Sequence, residues 1–191
     1  MTIRLETDRL ILRQWRDEDR APWAAMNADP EVLHFFPSTR TREQSDLAVD
    51  GFIHHIDEFG WGLFATELKE SGQFVGTIGL WPMPAGFPAA DLTEIGWRLD
   101  KPFWGKGYAP EGARAVLEFA FGTLGKPELV SMTTVTNAAS RRVMTKIGMT
   151  YSPDDDFINP DYEPGFWQGP HVLHRITKER YESERARTAA S

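Results

Sequence analysis

The chain has no cysteine among its 191 residues. That excludes disulfides, thiolate-built zinc sites, iron–sulfur clusters and a cysteine nucleophile. Basic residues are scarce: 21 Lys and Arg stand against 28 Asp and Glu, for a formal net charge of -7. So acidic a chain is a poor general binder of nucleic acid or anionic membrane. Long hydrophobic runs are missing, and no stretch approaches the roughly 20 apolar residues of a membrane span. The opening residues Met1 to Glu6 alternate polar and apolar side chains and do not read as a basic-then-apolar leader. These absences predict a soluble cytoplasmic protein with no bound metal. What is present is a 41% apolar content, enough for a sizeable core, and seven Trp. The length suits one domain, expected over residues 1–177 with a charged tail at 178–191.

The charge is not spread evenly. Residues 1–93 hold 8 basic and 15 acidic side chains, residues 94–148 hold 8 and 5, and residues 149–191 hold 5 and 8. The middle stretch is the only one with a basic excess.

Periodicity gives a mixed order of elements. Arg9 to Arg13 reads as a strand, and Asp17-Glu18-Asp19 suits a helix start because acids complement the N-terminal dipole. Asp29-Pro30-Glu31 predicts a second short helix by the same logic. Thr41 to Gln44 reads as a capping box opening a helix that Gly60 ends. Strands are predicted at Trp61–Glu67, Phe74–Leu80, Leu92–Leu99, Leu129–Val135 and Val172–Ile176. An apolar stripe from Ala113 to Leu124 marks the clearest helix, over Pro110–Leu124, and Ala138–Ile147 reads as another. Lys178 to Ser191 reads as a fraying helical tail.

Two windows carry chemistry. In the first, Leu99 to Glu111, a strand enters a Gly105-Lys106-Gly107-Tyr108-Ala109 turn that opens the strongest helix. Glycine permits left-handed backbone and close ligand approach, and free N–H groups at a helix start suit a phosphate. A Walker loop would need Ser or Thr after Gly-Lys, and a dinucleotide fingerprint would not place Pro110 where it stands. A bare Gly-x-Gly is most often a plain turn. In the second window, Asn137 precedes a helix bearing Ser140, Arg141 and Met144. Taken alone, Asn137 reads as a helix cap.

Taken together, Trp104 to Ala109 and Asn137-Ala138-Ala139-Ser140 through Lys146-Ile147-Gly148 resemble the GNAT superfamily of acyl-CoA-dependent N-acetyltransferases. Thr7 to Arg13, Asp29 to Val32 and Glu94 to Leu99 resemble its branch that acetylates ribosomal-protein N-termini. Two positions depart from the superfamily pattern. Trp104 stands where Gln or Arg is usual, and Met144 stands where many members carry a Tyr acid. A thioether cannot donate that proton.

The resemblance implies an α/β (α+β) fold: a mixed, mostly antiparallel central sheet with helices on both faces. It also implies a splayed strand pair, Leu92–Leu99 and Leu129–Val135, that forms the acyl-CoA cleft. Acetyl-CoA, as co-substrate, is expected to meet backbone at Trp97, Arg98 and Leu99. Its pyrophosphate is expected on Trp104, Gly105, Lys106, Gly107, Tyr108 and Ala109. Asn137, Ser140 and Arg141 are expected on the other wall.

The expected reaction is direct attack of a primary amine on the acetyl thioester. Glu94 is the candidate base through one water. A backbone N–H near Trp97 or Arg98 would donate to the developing oxyanion. Ser140, or less favourably His174, would protonate the leaving thiolate. The acceptor is a protein N-terminus or a small cationic amine, such as a polyamine, aminoglycoside or amino acid. Phe35-Phe36-Pro37, Trp81 to Phe87 and Phe157 to Trp167 are its candidate lining. The alternative is a non-catalytic acyl-CoA sensor. The protein is expected as a monomer or homodimer.

Overall fold

The computed structural model describes residues 3–189. They form two compact units, residues 3–81 with 96–116, and residues 82–95 with 117–189. No shift in composition marks the boundary.

The first unit begins with an antiparallel meander. Strands β1 (Arg4–Glu6) and β2 (Leu10–Arg13) pair, followed by helices α1 (Arg20–Ala28) and α2 (Arg42–Phe59). Strand β3 (Leu63–Leu68) pairs with β2 and with β4 (Phe74–Pro82). The C-terminal part of β5 (Thr93–Leu99) lies beside β4. A Cβ on Gly76 would sit 2.2 Å from the Arg98 carbonyl oxygen, so only glycine allows this approach.

The capping box forms as read. Thr41 Oγ1 accepts from the Gln44 N–H at 3.2 Å, and Gln44 Oε1 accepts from the Thr41 N–H at 2.9 Å. The helix predicted at Asp29-Pro30-Glu31 does not form, and residues 30–36 run as successive turns. Asp29 Oδ1 takes the Glu31 N–H at 2.8 Å, a local bond that competes with a helical turn.

Helices α1 and α2 cover one sheet face through an aromatic chain. Trp15 meets Trp23 at 5.2 Å, Trp23 meets Phe52 at 6.0 Å, and Phe52 meets Trp81 at 5.5 Å. Ile78 lies three residues before Trp81 and therefore faces the other way. There a Cβ on Gly112 of α3 (Tyr108–Glu118) would press on it at 2.5 Å, so α3 begins on the opposite face. Beneath the meander lies a buried ion network. Arg13 donates twice to Asp19, at 2.7 and 3.0 Å, and once to Glu67 at 2.7 Å.

In the second unit the helix predicted to reach Leu124 gives way to a π-turn over Phe119–Thr123. Strand β6 (Glu128–Thr134) follows, then α4 (Ala138–Lys146), β7 (Thr150–Tyr151) and β8 (Phe157–Ile158). Strand β9 (Pro170–Thr177) pairs antiparallel with β6 over seven residues and also carries β7 and β8. Parallel pairing of β5 with β6 is confined to Thr93 with Leu129 and Glu94 with Val130.

One face of this sheet packs Val130 and Leu173 against Met83 and Phe87. The tail is a docked helix, α5 (Lys178–Ala189). Tyr181 packs against Phe121 with ring centroids 5.1 Å apart, and Arg180 donates to the Gly148 carbonyl at 2.8 Å.

Candidate active site

In the first unit, the turn after β5 is built as an anion cradle. Gly105 (φ 74°) and Gly107 (φ 83°) are both left-handed. Among the described residues, the N–H groups of Gly105, Lys106 and Gly107 meet no protein acceptor. The first turn of α3 presents further N–H groups without intrahelical partners. Lys106 forms no ion pair among the described residues, and its ammonium lies 5.8 Å from the Phe103 ring. These features fit a pyrophosphate.

Trp104, the departure from the superfamily pattern, is a brace. Its indole N–H donates to the Leu99 carbonyl at 2.7 Å and ties the loop to the strand end. A second brace, missed in the sequence, comes from Arg9. Its guanidinium donates to the Lys106 carbonyl at 3.1 Å and to Glu111 at 2.7 Å, and lies 4.6 Å from the Tyr108 ring. Burial pushes the Glu111 carboxyl up, but bonds from Thr7 and Arg9 hold it below the usual carboxylate value. The Thr7-Asp8-Arg9 motif was the available signal, but its contact with position 111 was not readable.

Arg98 turns its side chain to the α1 face. It donates to Asn27 Oδ1 at 2.7 Å, and its guanidinium lies 4.0 Å from the Phe36 ring and 5.2 Å from that of Trp23. Trp97, next along the strand, points the other way by alternation.

In the second unit, Glu94 is the perturbed group. Its Oε1 accepts from the Met132 N–H at 3.5 Å, just past the last paired residues of β5 and β6. Burial raises its carboxyl to about 7, and the Met132 bond opposes this only in part. It forms no ion pair among the described residues. A carboxyl poised near neutral pH suits general acid–base work.

Asn137 does cap α4. Its Oδ1 accepts from the Ser140 N–H at 3.1 Å, while its Nδ2 donates to Thr133 Oγ1 at 2.9 Å and Ser140 Oγ at 3.2 Å. Both amide hydrogens are thus used within the protein. The Ser140 hydroxyl accepts from Asn137 and donates to no acceptor among the described residues. Its proton is available to a ligand. Arg141 donates to the Val135 carbonyl at 3.2 Å, with its guanidinium 5.3 Å from the Tyr151 ring.

His174 stacks on Tyr151 at 5.2 Å, and burial lowers its pKa, helped by Arg141. In the β6–β9 register His174 sits opposite Ser131, whereas Glu94 sits beside Val130. These two therefore lie on opposite sheet faces, and the structure does not bring them together. Ser140, bonded through Asn137 to Thr133, is on the His174 face.

The candidate acceptor aromatics divide. Trp81 packs into the first unit's core against Phe52 and His55, and Phe87 is buried in the second unit's core. Phe166 and Trp167 are exposed, and Phe36 meets Arg98. The three consecutive aspartates diverge: Asp155 pairs with Arg175 at 2.8 Å, and Asp156 accepts from the Tyr151 hydroxyl at 2.8 Å.

The model of the acetyltransferase (GNAT) domain matches residues 9–150. The chain belongs to the GNAT acetyltransferase family. A relative, the FsC-acetyl coenzyme A-N(2)-transacetylase of Aspergillus fumigatus, is 34% identical over 95% of this chain and 80% of its own. The fold matches the crystal structure of a GNAT-family acetyltransferase from Bacillus anthracis with a TM-score of 0.77 at 23% identity, covering 93% of this chain and 99% of that one. It also resembles a ribosomal-protein-S5-alanine acetyltransferase from Vibrio fischeri, with a TM-score of 0.74 at 15% identity over 94% and 98% of the two chains. The mixed, mostly antiparallel α/β architecture expected of this family is present, and the protein is an N-acetyltransferase.

Proposed function

We propose that this enzyme moves the acetyl group of acetyl-CoA onto an α-amino group. The observation that carries the reading is Glu94, a carboxyl held at about 7 without a cationic partner among the described residues. A nucleophilic amine must be neutral. An α-amine titrates near ~8 and is partly neutral at pH 7, while a lysine near ~10.4 is almost wholly charged. A base near 7 suits proton removal at neutral pH, and the larger neutral fraction of an α-amine favours it as the acceptor.

The loop from Trp104 to Ala109 binds the cofactor's pyrophosphate through the N–H groups of Gly105, Lys106 and Gly107, with Trp104 and Arg9 fixing its shape. Bound acetyl-CoA supplies the acyl carbon, to which the amine nitrogen bonds as the carbon–sulfur bond breaks. Glu94 takes the proton from the amine, directly or through one water. Ser140, oriented by Asn137 on the sheet face opposite Glu94, donates a hydrogen bond from its hydroxyl to the departing sulfur, and the proton that Glu94 takes returns through solvent to the thiolate. Asn137 acts as a positioning residue, because its own amide is saturated. His174, the less favoured donor to the thiolate, lies on the same sheet face as Ser140, but burial and Arg141 lower its pKa and disfavour the protonated form that would donate.

A thiol-release assay with short peptides and ε-amine controls tests the reading. Release with peptide α-amines and little with ε-amines is expected. Gly107→Asp places a charged side chain at a left-handed position and should abolish CoA binding. Turnover of ε-amines at equal rates, or intact CoA binding in Gly107→Asp, would contradict the proposal.

A further inference from the structure

Arg98 is a half-buried cation without a counterion among the described residues. Among the described residues no carboxylate lies within ion-pair distance of it, and its Nε is buried with no hydrogen-bond partner. Its one hydrogen-bonded protein partner is neutral, and the reason is traceable. The Ser45 hydroxyl donates to the Thr41 carbonyl at 2.9 Å, so Ser45 Oγ must accept from Asn27 Nδ2 at 3.3 Å. That leaves Asn27 Oδ1 for Arg98. Asn27 itself is fully buried.

A second cation stands near. Arg40 is held by its backbone N–H to the Asn27 carbonyl at 2.9 Å, and forms no ion pair among the described residues. Burial, and then the charge of Arg40, pull Arg98 down to about 10, still cationic at neutral pH. A desolvated charge in this state is costly unless something pairs with it.

The acidity of residues 1–93 does not reach this point. Asp19 and Glu67 are bound to Arg13, Asp50 to Arg20, Asp46 to Arg42, Glu31 to Lys101 and Glu6 to Arg4. The arginine faces α1 and the 29–41 segment, while the cradle for pyrophosphate opens α3 on the opposite sheet face. The anion that Arg98 awaits is therefore not the pyrophosphate.

We propose that Arg98, with Asn27 and Arg40 beside it, receives a carboxylate carried by the amine acceptor. The inference rests on the acetyl-transfer reading above and narrows the acceptor to one that bears both an amine and a carboxylate. Phe36 and Trp23 flank the guanidinium and shield the pair from water, which strengthens it. The planar fork of an arginine suits a carboxylate in two-point contact.

The test uses peptides that differ only in carboxylate against amide, either at the C-terminus or as Glu against Gln in the second position. The two placements tell which carboxylate is read. Acid forms should exceed amides in kcat/KM by about 10- to 100-fold, the range of a hydrogen bond to a charged group. Succinate, used as a probe anion, should raise the melting temperature of the wild-type protein and compete with the acid peptides.

Arg98→Met should lose both the acid preference and the succinate shift while remaining folded. Asn27→Asp supplies an internal carboxylate and should weaken succinate binding with Arg98 in place. Equal use of acids and amides, or a succinate shift that survives in Arg98→Met, overturns the proposal. So does a loss of discrimination between CoA and dephospho-CoA in Arg98→Met, which would assign the cation to the cofactor. If CoA binds but no amine is acetylated, the acetyl-transfer reading fails. The succinate shift then decides Arg98 by itself, and its persistence in Arg98→Met removes the anion site.

Discussion

Two arginines of the first unit, Arg13 buried and Arg98 half-buried, are treated in opposite ways. Arg13 lies between Asp19 and Glu67, with three short hydrogen bonds to their carboxylates. Those bonds hold its pKa above the usual arginine value even though burial pulls the other way. Arg98 meets an amide oxygen and two aromatic faces, and its pKa falls to about 10. Glu94 in the second unit is the acidic counterpart of Arg98: a carboxyl lifted to about 7, touched by one backbone N–H. A charge that the fold neutralises for itself is part of the scaffold. A charge that it leaves unneutralised is the one we propose meets a substrate.

The comparison can be broken by mutation. The largest effect is expected at Arg13. Arg13→Met strands Asp19 and Glu67 in the interior and should cost about 3–5 kcal/mol by denaturant unfolding. A loss below about 1 kcal/mol would deny the network its structural role. Next, Glu94→Gln should lower kcat by about 10²–10⁴, the usual contribution of a positioned base, with CoA affinity nearly unchanged.

Third, the wild-type rate should rise with pH through about 7 and level off above it, and this limb should vanish in Glu94→Gln. The sign for stability is the reverse. Between the unfolded value near ~4.3 and about 7 the folded state holds the extra proton, so this group's contribution to stability falls as pH rises through that window. Glu94→Gln should flatten that slope in unfolding curves taken from pH 5 to 7. The smallest stability effect belongs to Arg98→Met. Because only the neutral Asn27 Oδ1 loses its partner, the loss of unfolding free energy should stay at about 1–3 kcal/mol, below that of Arg13→Met. A loss as large as that of Arg13→Met would show that the two arginines are alike.

Much of the fold could be read locally. The Thr41 capping box, the Gly60 stop and the glycine turn at 105–107 rest on neighbouring residues and were legible. The Asp29 segment misled because an acid before Pro-Glu suits a helix start and a local side-chain turn equally well. Of the candidate site, the left-handed glycine turn at Gly105 and Gly107 was legible because backbone carries it, and Glu94 was chosen by its place in the strand before its burial was known.

Side-chain environments were less legible, because they depend on contacts far apart in sequence. Nothing near position 98 announces Asn27 or Phe36, and nothing near 106 announces Arg9. Asn137 was readable as a cap, but its double donation to Thr133 and Ser140 was not. The charge count put 15 acidic against 8 basic side chains in residues 1–93. The ion pairs of the first unit show that much of this acidity is already matched, and Arg98 and Arg40 beside α1 have no carboxylate partner among the described residues.

The most direct test of the account is acetylation of matched peptides by wild-type enzyme and Arg98→Met, followed by mass spectrometry for one added acetyl group per α-amine. Wild type should acetylate the carboxylate-bearing peptide well ahead of its amide, and Arg98→Met should lose that preference while still binding CoA. Equal acetylation of both peptides by wild type, or an unchanged preference in Arg98→Met, would contradict the claim that this enzyme leaves the Arg98 charge open for its acceptor.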